Sequence, residues 1–257
     1  MHIHIIHLSR GGSTMIVDRS YKLSAFGDFS DIVPDADIMM FFLETFKDYG
    51  LVPSIFQEVQ ITPPANQPIT NQRIALLSKD GSEQVSISSG RIDYEIKAQN
   101  DIKLAPEQLA SVNLKIGNCF GAIFEKFNKK STRLALNTEN FVINLNAAEV
   151  NQFMLKYSNP ISIYNGQPLG EWTTRLMIRK EAMLNGNNES FNIITILAKT
   201  GMQKQVDGKT EESTGFTVNV DINTIAENAR SRFKKQDMIE FIKIADEWWN
   251  LILTEMG

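Results

Sequence analysis

The 257-residue chain has a single cysteine, Cys119, and three histidines, His2, His4 and His7, all near its start. One cysteine leaves no intrachain disulfide to form, and no secretory signal of charged, apolar and small-residue regions opens the chain. A cytoplasmic protein is expected. Long hydrophobic runs are lacking as well. The stretch 193–198 falls far short of the ~20 apolar residues that a membrane-spanning helix needs, so no membrane partner is expected. The net charge of −4, with both signs interspersed, supplies no broad positive field for nucleic acid.

These scarcities bear on chemistry. Ser-His-Asp and Cys-His catalysis both need a general base near neutral pKa, and imidazole is the usual one. Beyond Met15 the chain has no histidine. Cys119 falls on the apolar stripe of a predicted helix, where a buried thiol is inert. Zinc lacks its usual Cys and His ligands. The sequence therefore nominates no catalytic residue, no metal ligand and no cofactor.

Residues 1–14 stand apart because they hold every histidine. We read them as an upstream extension preceding a start at Met15, with Gly11-Gly12 as the translation of a GGAGG-like ribosome-binding sequence. The competing reading is a short strand over 3–8 with histidines at alternate positions.

From Met15 onward, hydrophobic periodicity separates strands from helices. A strand over 15–26 precedes a helix carrying Ile38, Phe41, Phe42, Phe46 and Tyr49 on one face. Asp35 and Asp37 suit the positive end of that helix, and Gly50 is its stop. Strands follow over 54–61, 73–78, 84–88 and 91–97, with the turns Lys79-Asp80-Gly81 and Ser89-Gly90. Pro106 opens a long helix with the stripe Leu109, Val112, Ile116, Cys119, Phe120, Ile123 and Phe127. The order then recurs: a strand over 132–145, a helix over 147–157, strands over 161–164, 172–180, 191–199 and 216–222, and a last helix. Its stripe is Met238, Phe241, Ile242, Ala245, Trp249 and Ile252. Thr224 with Glu227 reads as a capping box, and 199–213 as a long, charged hairpin between two strands, with a mobile loop as its plain reading. The expected fold is α+β, with two consecutive strand-helix-four-strand-helix units whose antiparallel sheets pack on long helices. The boundaries are 15–128 and 129–257, an internal duplication sharing one core.

Phe56-Gln57-Glu58-Val59, then Leu77-Ser78-Lys79-Asp80-Gly81, then Arg91-Ile92-Asp93 resemble a sporadically distributed family of uncharacterised bacterial proteins. In that family an early "EV" strand is followed by an "S-x-DG" hairpin. The order fits most of the chain from Met15 and transfers no catalytic residue. The resemblance implies a bacterial or phage-associated protein and is compatible with a role in genetic conflict.

Few side chains suggest chemistry. Asp35 with Glu95 and Lys97 has the composition of a magnesium nuclease site, although a helix start and the wet face of a strand account for each. Gly208-Lys209-Thr210 lacks the glycine that a phosphate-binding loop wants where Gln203 stands. Two basic clusters are candidate phosphate contacts if they converge: Lys126, Lys129, Lys130 and Arg133, and Arg230, Arg232, Lys234 and Lys235. Arg175 and Arg179 share one strand face and are candidates for a polar binding surface. Trp248 and Trp249 diverge by about 100° on a helix, which leaves Trp248 as a candidate partner contact. The expected function is that of a non-catalytic binding protein with a protein partner or as a homo-oligomer. A carboxylate-dependent divalent-metal enzyme and a nucleic-acid binder are the alternatives.

Overall fold

In a computed structural model of the chain, residues 6–8, 14–61, 68–97, 106–143, 145–158, 170–206 and 209–256 are described. In chain order they form β1 (Ile6–Leu8), β2 (Thr14–Phe26), α1 (Ala36–Phe46), β3 (Leu51–Ile61), β4 (Pro68–Ser78), β5 (Glu83–Ile87) and β6 (Arg91–Lys97). They continue with α2 (Pro106–Lys126), β7 (Arg133–Ile143), α3 (Ala147–Tyr157), β8 (Thr173–Leu184), β9 (Asn187–Val206), β10 (Lys209–Thr224) and α4 (Lys235–Met256). All pairings are antiparallel. One sheet runs β3-β4-β5-β6-β2-β7-β10-β9-β8, and β1 pairs with the start of β2. No helix among the described residues is long and apolar enough to cross a membrane.

The expectation of two consecutive units with separate sheets is corrected by the β2–β7 pairing. It runs from Met15 opposite Ile143 to Phe26 opposite Arg133, and joins all the strands into one sheet. The physical reason is that each strand carries a full row of backbone donors and acceptors that must be satisfied, and pairing β2 with β7 removes two edges at once. Alternation reveals which face of a strand is wet but not which strand lies beside it. Three strands, not four, follow α3 among the described residues, and the expected strand at 161–164 lies outside them. Of the early segment, Ile6–Leu8 is a strand opposite Thr14–Ile16, while His2 and His4 lie outside the described residues.

Local chemistry explains the element ends. The Asp35 side chain accepts from the Ile38 N–H at 2.8 Å to start α1, and Gly50, at φ 71°, ends the 3-10 turn that follows it. The capping box expected at Thr224 is instead at Asn146 and Glu149, where α3 begins. Thr224 ends β10, and its hydroxyl accepts from the Leu134 N–H at 3.0 Å. Asn185 and Gly186, at φ 50° and 81°, make the two-residue turn between β8 and β9. In its described part the charged stretch 199–213 is the expected hairpin rather than a mobile loop. β9 and β10 stay paired antiparallel out to Val206 opposite Lys209.

Alternate residues of the strands face the helices. Leu23, Ile74, Leu76, Tyr94, Leu134, Leu136, Phe191, Phe216 and Ile222 enter one core with Phe42 and Phe46 of α1, Phe120 of α2, Met154 of α3 and Phe241 of α4. A Cβ at Gly117 would lie 2.8 Å from Ile239, so this glycine lets α2 and α4 approach closely across the sheet. Trp248, expected at a partner surface, is buried with Trp249. Trp248 meets Phe191 edge-on at 5.2 Å and Trp249 meets Tyr21 at 5.9 Å. Because α4 is flanked by α2 as well as by the sheet, its buried arc is wide enough for both indoles.

Candidate functional site

The strand face opposite the helices holds a concavity of about 390 Å³ near the middle of the sheet. Two adjacent rows of side chains make its floor, and the strand registers set both. One row runs Glu95, Lys22, Asn137, Asp221, Ile194 across β6, β2, β7, β10 and β9. The other runs Ser20, Glu139, Asn219, Ile196, Arg175 across β2, β7, β10, β9 and β8. With strands ~4.8 Å apart, the floor spans roughly 24 Å from β6 to β8. One end is charged and amide-rich, the middle of β9 is apolar, and Arg175 stands at the far rim.

The bonding within the concavity is incomplete. Lys22 and Arg175 form no ion pair with any described residue. Glu95 lies 3.4 Å from Lys97, and Asp221 accepts from the Asn223 amide at 2.9 Å. Oδ1 of Asn219 is buried without a hydrogen-bond partner. A buried amide oxygen left unanswered costs about 1–3 kcal/mol, which a ligand donor would recover.

On the helix face, two buried polar clusters close on themselves, although Oδ1 of Asn140 and the indole N–H of Trp172 are also left without a partner. The Tyr21 hydroxyl lies 3.0 Å from a carboxylate oxygen of Asp246 and 3.0 Å from Oδ1 of Asn113, and the Asn113 amide donates to the other Asp246 oxygen. Burial pushes the Asp246 carboxyl up to about 6, against the downward pull of the Tyr21 and Asn113 hydrogen bonds, and also raises the Tyr21 hydroxyl. Glu83 takes Lys115 at 2.6 Å and the Tyr94 hydroxyl. The Cys119 thiol, buried beside them, is pushed up to about 12 by desolvation and is no nucleophile at neutral pH.

The nominated basic residues meet, but most are occupied. Ser131 bridges to Phe233, and this brings the two clusters together. Lys129 pairs with Asp31 at 2.6 Å, Lys235 lies 3.9 Å from Glu125, and Arg232 grips Glu189 with two bonds of 2.9 and 3.0 Å. Lys126 lies over the ring of Phe41, and Arg133 over that of Phe26, which Arg91 also approaches. Lys130, Arg230 and Lys234 are left facing outward without an ion pair among the described residues. Arg179 pairs with Glu227 at 3.0 Å, which leaves Arg175 as the nominated residue that lines the concavity.

The candidate nuclease pair is separated by the sheet: Asp35 caps α1, on the helix side, and Glu95 is in the concavity. Among the described residues no group of three or more His, Cys, Asp and Glu is placed to hold a metal ion. The "EV" and "S-x-DG" segments do local work. Glu58 binds Arg73 at 2.8 Å and takes the Ser89 hydroxyl at 2.9 Å, while Asp80 takes Ser78 and Ser82 hydroxyls at 2.7 Å each to shape its turn. Those bonds hold the Asp80 carboxyl well below its usual range. No family model, curated protein or solved structure matches the chain.

Lys22, Asn137, Asn219 and Asp221 were not legible as site residues. The signal was present in Val218-Asn219-Val220-Asp221-Ile222, whose alternation marks a wet face. Assembling the site also requires the cross-strand register, which spans some two hundred residues of sequence.

Proposed function

We propose that the protein is a non-catalytic binding protein that takes its ligand on the open face of the sheet, with Lys22 and Arg175 answering anionic groups on that ligand. The observation that carries this reading is the concavity, where two cations without ion-pair partners among the described residues and the unanswered Asn219 oxygen surround a floor that also offers Ile194 and Ile196. A few fixed polar groups beside an apolar patch are what small-molecule and peptide sites share. The face mixes signs, since Glu95, Glu139 and Asp221 lie beside Lys22, and that favours a ligand with both polar and anionic parts over a phosphate backbone. The carboxylate-enzyme reading loses the proximity of Asp35 and Glu95 that it needed.

Native mass spectrometry of protein purified from its own host, followed by thermal melts with the retained molecule, tests the reading. A ligand present at 100 times its Kd stabilises by about 2.7 kcal/mol. That gain is expected in the parent chain and absent in Lys22→Glu and Arg175→Glu. Retention that survives both substitutions, or turnover of the retained molecule, would overturn the proposal.

A further inference from the structure

Strand β8 ends the sheet, and among the described residues it pairs only with β9. Its outer edge is long and flanked by apolar side chains: Leu176 is 48% exposed, Met177 46% and Ile178 60%. An edge of that kind invites another strand. The opposite edge, β3, carries Pro53, which has no N–H to offer a neighbour. Within Thr173–Leu184 there is neither proline nor glycine.

We propose that a second copy of this chain covers β8, with the two β8 strands pairing antiparallel about a two-fold axis at Ile178 and continuing the sheet from one subunit into the other. The charges select this register. A two-fold perpendicular to the sheet keeps each residue on its own face only when the axis passes through a residue rather than between two. Centred at Met177, the pairing opposes Arg175 to Arg179. Centred at Arg179, Lys180 or Glu181, it opposes that charge to itself, and centred at Leu176 it overlaps only residues 173–179. Centred at Ile178, it overlaps residues 173–183, sets Arg175 opposite the partner's Glu181 twice by symmetry, and opposes no like charges. Directly opposed unlike charges stabilise a strand pair and like charges destabilise it. On the helix face, Ile178 meets the partner's Ile178.

The pairing reaches the candidate site. Arg175 stands at the rim of the concavity, so the partner's Glu181 becomes part of that rim and the two concavities end at a shared seam.

Sedimentation velocity of the full chain at micromolar concentration, with disulfide trapping, tests the proposal. The parent chain is expected to sediment as a dimer. Ile178→Cys is expected to form a covalent dimer under mild oxidation, at least about tenfold faster than Leu176→Cys, whose paired position is the partner's Lys180. Cys119 is buried, so the parent chain is the blank. Glu181→Arg is expected to weaken the dimer about tenfold or more, and Glu181→Arg with Arg175→Glu to restore it. Ile178 and Glu181 are both exposed, so the variants keep their fold, and circular dichroism checks this. A chain monomeric throughout the micromolar range overturns the proposal. So does equal trapping at positions 176 and 178, or a dimer indifferent to Glu181→Arg.

Discussion

The same strands present one face covered by helices and one face left open. Toward the helices, Tyr21, Asn113 and Asp246 close on one another, as do Glu83, Tyr94 and Lys115. Toward the open side, Lys22 and Arg175 stand without ion pairs among the described residues, and the Asn219 oxygen is buried and unanswered. A polar group sealed under helices depends on partners within the chain, and most but not all find one, Oδ1 of Asn140 being an exception. One on an open concavity can leave a bond to an incoming molecule. The contrast divides the protein into a face that sets stability and a face available for recognition, and substitutions on each should differ in kind.

The largest effect belongs to the covered face. Phe216 is fully buried between Phe153 at 4.3 Å and Trp172 at 5.7 Å. Phe216→Ala is expected to cost about 3–5 kcal/mol, seen as a fall in urea midpoint at constant slope. Ile196→Ala, on the open side of β9, should cost under about 1 kcal/mol. Equal losses would mean that the open face is a second core rather than a surface.

Next come two carboxylates whose pH dependences have opposite signs. Glu58 is held below its ordinary range by the Arg73 and Ser89 bonds, which outweigh the upward push of desolvation. Its folded pKa lies below the unfolded one, so its contribution is present above about 4.5 and is lost as the pH falls further. Asp246 runs the other way. With a folded value near 6 against 3.8 unfolded, it favours the folded state most at low pH. That contribution disappears as the pH rises from about 4 to 6, by up to roughly 3 kcal/mol. Asp246→Asn should flatten stability between pH 4 and 6, whereas Glu58→Gln should flatten it below that window. Urea titrations at half-unit pH steps separate them, and a parent profile that rises from pH 4 to 6 after the Glu58 term is removed would contradict the Asp246 assignment.

Legibility in the sequence followed the range of the interaction. Helix α1 was readable from Asp35 to Gly50, and α2 from Pro106, because caps, prolines and 3.6-residue stripes are local signals. The Lys79-Asp80-Gly81 turn was readable for the same reason, with Gly81 at φ 70°. Thr224 misled, since its capping-box spacing to Glu227 is also compatible with the end of a strand, and the contact that decides is with Leu134, ninety residues earlier. The β2–β7 seam was invisible because its register has no counterpart in either strand alone. The site inherits that blindness: Arg175 could be nominated from its strand face, but nothing local placed it in one concavity with Lys22. Trp248 was misjudged because a helix wheel shows divergence between neighbours and not how many elements surround the helix.

The smallest expected change in stability is the most informative about function. Lys22→Ala and Arg175→Ala remove cations that hold no ion pair among the described residues, and both side chains end in the concavity rather than in the core. Each should change the unfolding free energy by less than about 0.5 kcal/mol, the range of ordinary surface substitutions. If the open face is for recognition, the same two variants should lose most of the stabilisation that the retained ligand gives the parent chain. Lys130→Ala, which removes a cation at the junction of the basic clusters and outside the concavity, should keep it. A loss of several kcal/mol in the unliganded Lys22 variant would instead assign that lysine to the fold, and the division between the two faces would fail at its centre.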